Sequence, residues 1–157
     1  MDIVFDSIDG SSKIKIVSNV VDLLNSYKQT RIVDKEAGGI LICRESIESG
    51  NIIVEFATKP YNGDVRRRTR FYRRDNRHIE EFKRLYSQHN GIYGYFGEWH
   101  THPEKQPCYS YVDKVNWEKI AAQNDDNEKI YYHVIVGIES IFIWSYSKKQ
   151  NILKKVY

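Results

Sequence analysis

The stretch "IYGYFGEWHTH" (92–102) reads as a β-strand that Pro103 breaks off, and after a short connection "SYVDKVNWEKIAAQ" (110–123) reads as a helix opened by Ser110. Another apolar, β-branched run, "KIYYHVIVGI" (129–138), follows. A strand, an abrupt break, a helix and a second strand commit this part of the chain to a mixed α/β layer. The remaining segments agree. "DIVFD" (2–6) and "KIKIV" (13–17) are short strands around a turn. "SNVVDLLNSYKQ" (18–29) is a helix with Ser18 or Asn19 as its cap and Val20, Leu24 and Tyr27 on one face. "GGILICRES" (38–46) and "GNIIVEFAT" (50–58) form a strand pair. "NRHIEEFKRLYSQHNG" (76–91) carries Ile79, Phe82 and Tyr86 at helical spacing and ends at Gly91. Segments 129–138, 140–147 and 150–157 close the chain as antiparallel strands. The fold class expected is α/β: a single mixed, largely antiparallel sheet flanked by three helices. With 157 residues and 41% hydrophobic content, residues 1–157 suit one domain with one core.

The strand break concentrates chemistry. Alternate side chains of a strand share a face, so His100 and His102 point the same way just before Pro103. In a helix Ser110 and Asp113 stand at i and i+3, also on one face. Each residue alone has an ordinary explanation: a surface imidazole pair, a helix cap, a first-turn acid. Together they place two imidazoles and a carboxylate at one point. That ligand set, with an open fourth position for water, suits catalytic zinc.

The spacing in "HTHPEKQPCYSYVD" resembles the JAB/MPN (JAMM) metalloprotease signature, His-x-His-Pro, six residues, Ser-x-x-Asp. "DKEAGGILIC" supplies the glutamate that this family carries upstream, Glu36. The motif-bearing part spans about residues 30–146. The resemblance implies the JAB/MPN fold, which is cytidine-deaminase-like, and one zinc ion per chain held by His100, His102 and Asp113. It also implies that Glu36 is the general base and that Ser110 donates to the oxyanion. Two readings compete with these: Glu36 as a second metal-bound carboxylate, and Ser110 as the helix cap alone. "GDVRRRTRFYRR" and "GEWHTHPE" further resemble the small bacterial JAB proteins of antiphage CBASS operons and integrative elements. Those proteins reverse conjugation by an E1/E2-like enzyme. The implied partner is a protein with an extended C-terminal tail, either ubiquitin-like or a CBASS cyclic-oligonucleotide synthase (a nucleotidyltransferase).

The formal net charge is only +3, yet seven arginines fall between Arg66 and Arg77 in "RRRTRFYRRDNR". Three readings suit this stretch, which we expect to be a loop. It is a solvated basic surface, or a clamp in which Arg66, Arg67, Arg68 and Arg70 grip a substrate tail, or a phosphate-and-stacking surface for nucleic acid. Nucleic acid ranks last, because the basic character is confined to one stretch and no binding motif accompanies it. Three functions follow: a zinc isopeptidase, a catalytically silent MPN-type interaction module, and a nucleic-acid-binding protein. Glu98 shares a strand face with the histidines and is a candidate partner for an imidazole N–H. Cys108 is a softer candidate ligand, and Cys43 reads as a core residue. Trp99 and Trp117 read as core or pocket wall, and His78, His89 and His133 as structural or exposed. No run reaches the ~18 apolar residues of a membrane span and no signal-peptide pattern opens the chain, so a cytoplasmic protein with no membrane partner is expected.

Overall fold

The structure, a computed structural model, describes residues 1–157. The chain runs β1 (Ile3–Asp6), β2 (Lys13–Ile16), α1 (Ser18–Asn25), β3 (Gly38–Glu45), β4 (Ile52–Ala57), β5 (Val65–Arg67) and β6 (Arg70–Tyr72). It continues through α2 (Arg77–Gln88), β7 (Tyr93–Thr101), α3 (Tyr111–Ala122), β8 (Ile130–Val136), β9 (Ile141–Ser147) and β10 (Ile152–Lys155). Eight strands form one sheet in the order β1-β2-β4-β3-β7-β8-β9-β10. Neighbours are antiparallel except β2–β4 and β7–β8. A parallel neighbour needs a crossover, and α3 supplies it between β7 and β8. No helix is long and apolar enough to cross a membrane.

β3 lies at the sheet's centre and is buried over six consecutive residues, Gly38–Cys43. Both of its faces are covered, which is why its sequence is an unbroken apolar run rather than an alternating one. Leu41 and Cys43 join Leu24 of α1 and Val134 of β8 in the main core, while Ile40 and Ile42 pack with Leu85 of α2. Each fully buried aliphatic side chain of this kind contributes about 1.5–3 kcal/mol relative to exposure. Gly38 is required by close approach: a Cβ there would strike the Phe71 ring and the Trp99 carbonyl. This contact seats β6 against the central strand.

Several sequence expectations shift. The arginine-rich stretch is not a loop. Val65–Arg67 and Arg70–Tyr72 pair as an antiparallel hairpin, with Arg66 opposite Phe71 and Arg67 opposite Arg70. Helix α1 stops at Asn25, and its first N–H groups use no Ser18 or Asn19 side chain; instead Asp2 Oδ1 accepts from Ser18 N at 2.7 Å. Helix α2 does not turn Ile79 and Tyr86 inward, for both are exposed, and His78 and Leu85 are buried. The His78 ring sets this rotation: Nδ1 lies 2.5 Å from Thr58 Oγ1 and Nε2 2.8 Å from Asp64 Oδ2. A fully buried imidazole must keep both partners, and that requirement outweighs placing one more isoleucine in the core.

Candidate metal centre

β7 delivers His100, and His102 follows one residue past its end; both are buried. His102 N donates to Val136 O at 3.0 Å, so the backbone stays docked on β8 beyond the last strand residue. The loop after Pro103 is tied down by Ile138 N to Glu104 O (2.7 Å) and Glu139 N to Lys105 O (3.0 Å). Helix α3 then begins with a capping box. Ser110 Oγ accepts from Asp113 N at 3.2 Å, and Asp113 Oδ2 accepts from Ser110 N at 2.6 Å. Ser110 Oγ also donates to Asp113 Oδ2 at 2.7 Å. The cap fixes the Asp113 carboxylate in the helix's first turn, facing the strand end.

Three donors converge there. The His100 and His102 Nε2 atoms are 2.9 Å apart. Asp113 Oδ1 lies 3.2 Å from His100 Nε2, and Oδ2 lies 3.4 Å from His102 Nε2. All three donors fall within 4.8 Å of one another. Two buried imidazole nitrogens aimed at each other across 2.9 Å share at most one proton between them, and a carboxylate completes a pocket of lone pairs. This donor set fits zinc. Cys108 is exposed and lies outside the group, as does Glu36.

Electrostatics follow the packing. Burial opposes the Asp113 charge, yet His100 and His102 and the Ser110 N–H hold its carboxyl far below the usual range. Burial also opposes charge on His102, but hydrogen bonding and attraction to Asp113, with Glu36 and Glu104 adding, leave its pKa above the ordinary value. Glu36, 4% exposed, sits just before β3 within the fields of His100, His102, Asp113 and Arg70. Burial is the chief cause that pushes its carboxyl up to about 7, against the two imidazoles. A carboxyl poised there exchanges a proton readily near neutral pH.

Other candidates go elsewhere. Glu98 does not reach an imidazole; its Oε1 accepts from Arg73 Nε at 2.7 Å. Glu104, which sequence reasoning missed, lies with Oε2 3.7 Å from His102 Nδ1 and accepts from Cys108 N at 3.0 Å. Beside the centre runs a groove of ≈ 250 Å³ floored by Trp99, His100 and Trp117. Its walls are Phe71–Arg74 on the hairpin side and Asn116 and Lys119 of α3 on the other. Of the arginines singled out from sequence, none lines this groove; Arg73 and Arg74 do. Arg66 and Arg68 instead donate to main-chain carbonyls of residues 31, 32, 35 and 36. Arg67 is exposed, and Arg70 stacks over Tyr72 at 5.8 Å.

Comparison with known proteins matches the same region. Residues 26–147 match the family model described as prokaryotic homologs of the JAB domain. A protein of Escherichia coli (strain TW11681) named CD-NTase/cGAS isopeptidase is 34% identical over 148 residues, covering 94% of this chain and 90% of that protein. Proteins of the same name from Vibrio cholerae serotype O1 and Pseudomonas aeruginosa (strain BWHPSA011 / Pa011) are 31% and 29% identical. They cover 90% and 86% of this chain, and 85% and 84% of their own lengths. The solution structure of a Desulfitobacterium hafniense protein, 16% identical, superposes with a TM-score of 0.57 over 89% of this chain and 87% of that one, which supports the fold. By the extent of the family match and the identity to these relatives, the chain belongs to the prokaryotic JAB-domain family.

Proposed function

We propose that this protein is a zinc-dependent isopeptidase that releases a CD-NTase-type synthase, or a ubiquitin-like protein, from molecules joined to its C-terminal tail. The observation that carries the reading is the convergence of His100, His102 and Asp113 beside a buried Glu36. The names of the relatives supply the substrate class. His100, His102 and Asp113 would hold one zinc ion. When bound, zinc supplies Lewis acidity that brings the pKa of water towards about 7. Glu36 accepts a proton from the attacking water and returns it to the leaving amine, so the amine departs neutral. The Ser110 hydroxyl stands at a helix N-terminus, where positive potential favours a developing oxyanion.

The tail binds in extended form in the groove between the hairpin and α3. β5 already pairs with β6 on one side and reaches the Glu36 segment through Arg67 O. The outer edge of β6 is left to receive an added strand, with side chains read by Phe71–Arg74 and Lys119. The basic residues Arg73 and Arg74 border this path, whereas Arg66 and Arg68 are engaged with the main chain. In this reading the protein works in the cytoplasm, as part of antiviral defence.

The test is cleavage of a synthase-tail–reporter fusion by the purified protein. Cleavage should stop on chelation, return with zinc, and be abolished in Glu36→Gln, which still carries about one zinc per chain. Chelator-resistant cleavage would remove zinc from the scheme. Loss of zinc in Glu36→Gln would make Glu36 a ligand instead of a base.

A further inference from the structure

Residues 31–37, which carry Glu36, contain no helix or strand. Of their apolar side chains only Ala37 packs into the core, whereas Ile32 is 81% and Val33 72% exposed. The segment is held by polar bonds from two sides. From the hairpin, Arg66 Nε donates to Glu36 O at 2.8 Å and its Nη2 to Lys35 O at 3.2 Å. Arg67 O accepts from Glu36 N at 2.8 Å. From the metal strand, Thr101 N donates to Ala37 O at 2.8 Å, and Thr101 Oγ1 accepts from Ala37 N at 3.0 Å. Thr101 stands between His100 and His102 with its side chain on the opposite face.

Gln29 joins the two sides. It is 1% exposed and its amide is fully used. Nε2 donates to Arg68 O (2.7 Å) and Asp34 O (3.2 Å), and Oε1 accepts from Thr101 Oγ1 (3.1 Å). Two carbonyl oxygens at one end require the NH2 there, so the amide has one workable orientation.

We propose that Arg66 and Gln29 are positioning residues for Glu36: they lock the segment carrying the base to the hairpin and to the strand that bears the histidines. This rests on the base reading of Glu36 given above. A planar guanidinium fits two adjacent carbonyls in a fixed fork, which an ammonium does only in part. The position of the Glu36 carboxyl relative to the histidines is therefore set by side chains that touch neither metal nor substrate. The hairpin's inward arginines serve the base, and its groove-side residues serve the substrate.

The experiment uses the full zinc-loaded chain and Gln29→Ala, Arg66→Ala and Arg66→Lys, the Arg66 variants also in a Glu36→Ala background. Readouts are zinc content, kcat and KM on the tail fusion, and amide exchange over residues 34–37. Arg66→Ala should lower kcat roughly 10–100-fold, the scale of a small misplacement of a reacting group, with KM changed less than about twofold. Zinc should stay near one per chain, Glu36 N–H exchange should quicken, and Arg66→Lys should recover part of the rate. In the Glu36→Ala background the same change should alter the residual rate less than about twofold, because residues acting through one group are non-additive. A raised KM at constant kcat would make Arg66 a substrate contact and overturn the proposal, as would an equal loss in both backgrounds. Should the buried Gln29→Ala variant fail to fold, the partly exposed Arg66 carries the test. Should the wild type cleave no conjugate, the isopeptidase reading fails, and exchange alone decides the brace: faster in Arg66→Ala supports it, unchanged overturns it.

Discussion

Ser110 has two duties to fill with one hydroxyl. It caps α3 reciprocally with Asp113, and in the proposed mechanism it also faces the oxyanion. Glycine separates the duties, because Ser→Gly at an N-cap costs only a few tenths of a kcal/mol whereas Ser→Ala costs about 1 kcal/mol. Ser110→Gly should therefore leave the urea midpoint nearly unchanged and lower kcat about 10²–10³-fold. A rate loss no larger than the small stability loss would leave Ser110 as a cap alone. At this scale much of the centre was legible. The histidines stand two apart on a strand and Ser110 and Asp113 three apart on a helix, so local periodicity brings each pair onto one face without knowledge of the fold. Gln29, Glu104 and Arg73 were not legible. Gln29 and Arg73 draw their meaning from partners distant in sequence: Thr101 lies 72 positions from Gln29, and Glu98 lies 25 from Arg73. Glu104 is close to His102 in sequence, but the loop that turns it back to the ring follows no periodic pattern.

The hairpin β5–β6 shows why charge hides an element. Its six strand residues include three arginines, so neither alternation nor a β-branched run marks it, and only Val65, Phe71 and Tyr72 carry strand character. Gly38 makes room for Phe71, and the main-chain bonds to Glu36 and Gln29 hold the arginine side in place. Helix α2 fails differently: apolar periodicity chose Ile79, but a buried hydrogen-bonded histidine chose the rotation. The hairpin's groove side yields its own prediction. Arg74 is exposed, lines the groove and stacks over Tyr72 at 5.6 Å. Arg74→Ala should raise KM for a tail fusion several-fold with kcat unchanged, and the difference should shrink at high salt. Unaltered kinetics at both salt concentrations would make this arginine an ordinary solvated charge.

Across the whole molecule the strands themselves were largely legible, and their order was not. Tight turns predict that β8, β9 and β10 pair as neighbours, but nothing local says that β4 inserts between β2 and β3. The interior also sets a pH response. His133 of β8 is fully buried, stacks on Trp117 at 4.6 Å and accepts from Glu98 N at 3.2 Å. Burial, with the nearby His100 adding, lowers its pKa from 6.5 to about 3. The unfolded chain takes up this proton below about pH 6.5 and the folded one only near pH 3. The stabilisation is thus complete above pH 6.5 and is lost as pH falls, at up to about 1.4 kcal/mol per pH unit. Urea unfolding of chelated protein at pH 7 and pH 4.5 should show a smaller acid loss in His133→Asn than in wild type; equal losses would clear His133 of this role. The sheet order has one more consequence. Glu36 and β1–β4 come from the first part of the chain and every donor of the candidate metal centre from residues 100–113, and the two meet where β3 pairs β7, with Gly38 opposite His100, and where Ala37 and Thr101 exchange hydrogen bonds. A ribosome that has released the first ninety residues has therefore made the proposed base without the proposed ligands. In the proposed mechanism hydrolytic competence arrives only when the later segment emerges and closes along β3, so a copy cut short before residue 100 should leave a tail fusion uncleaved.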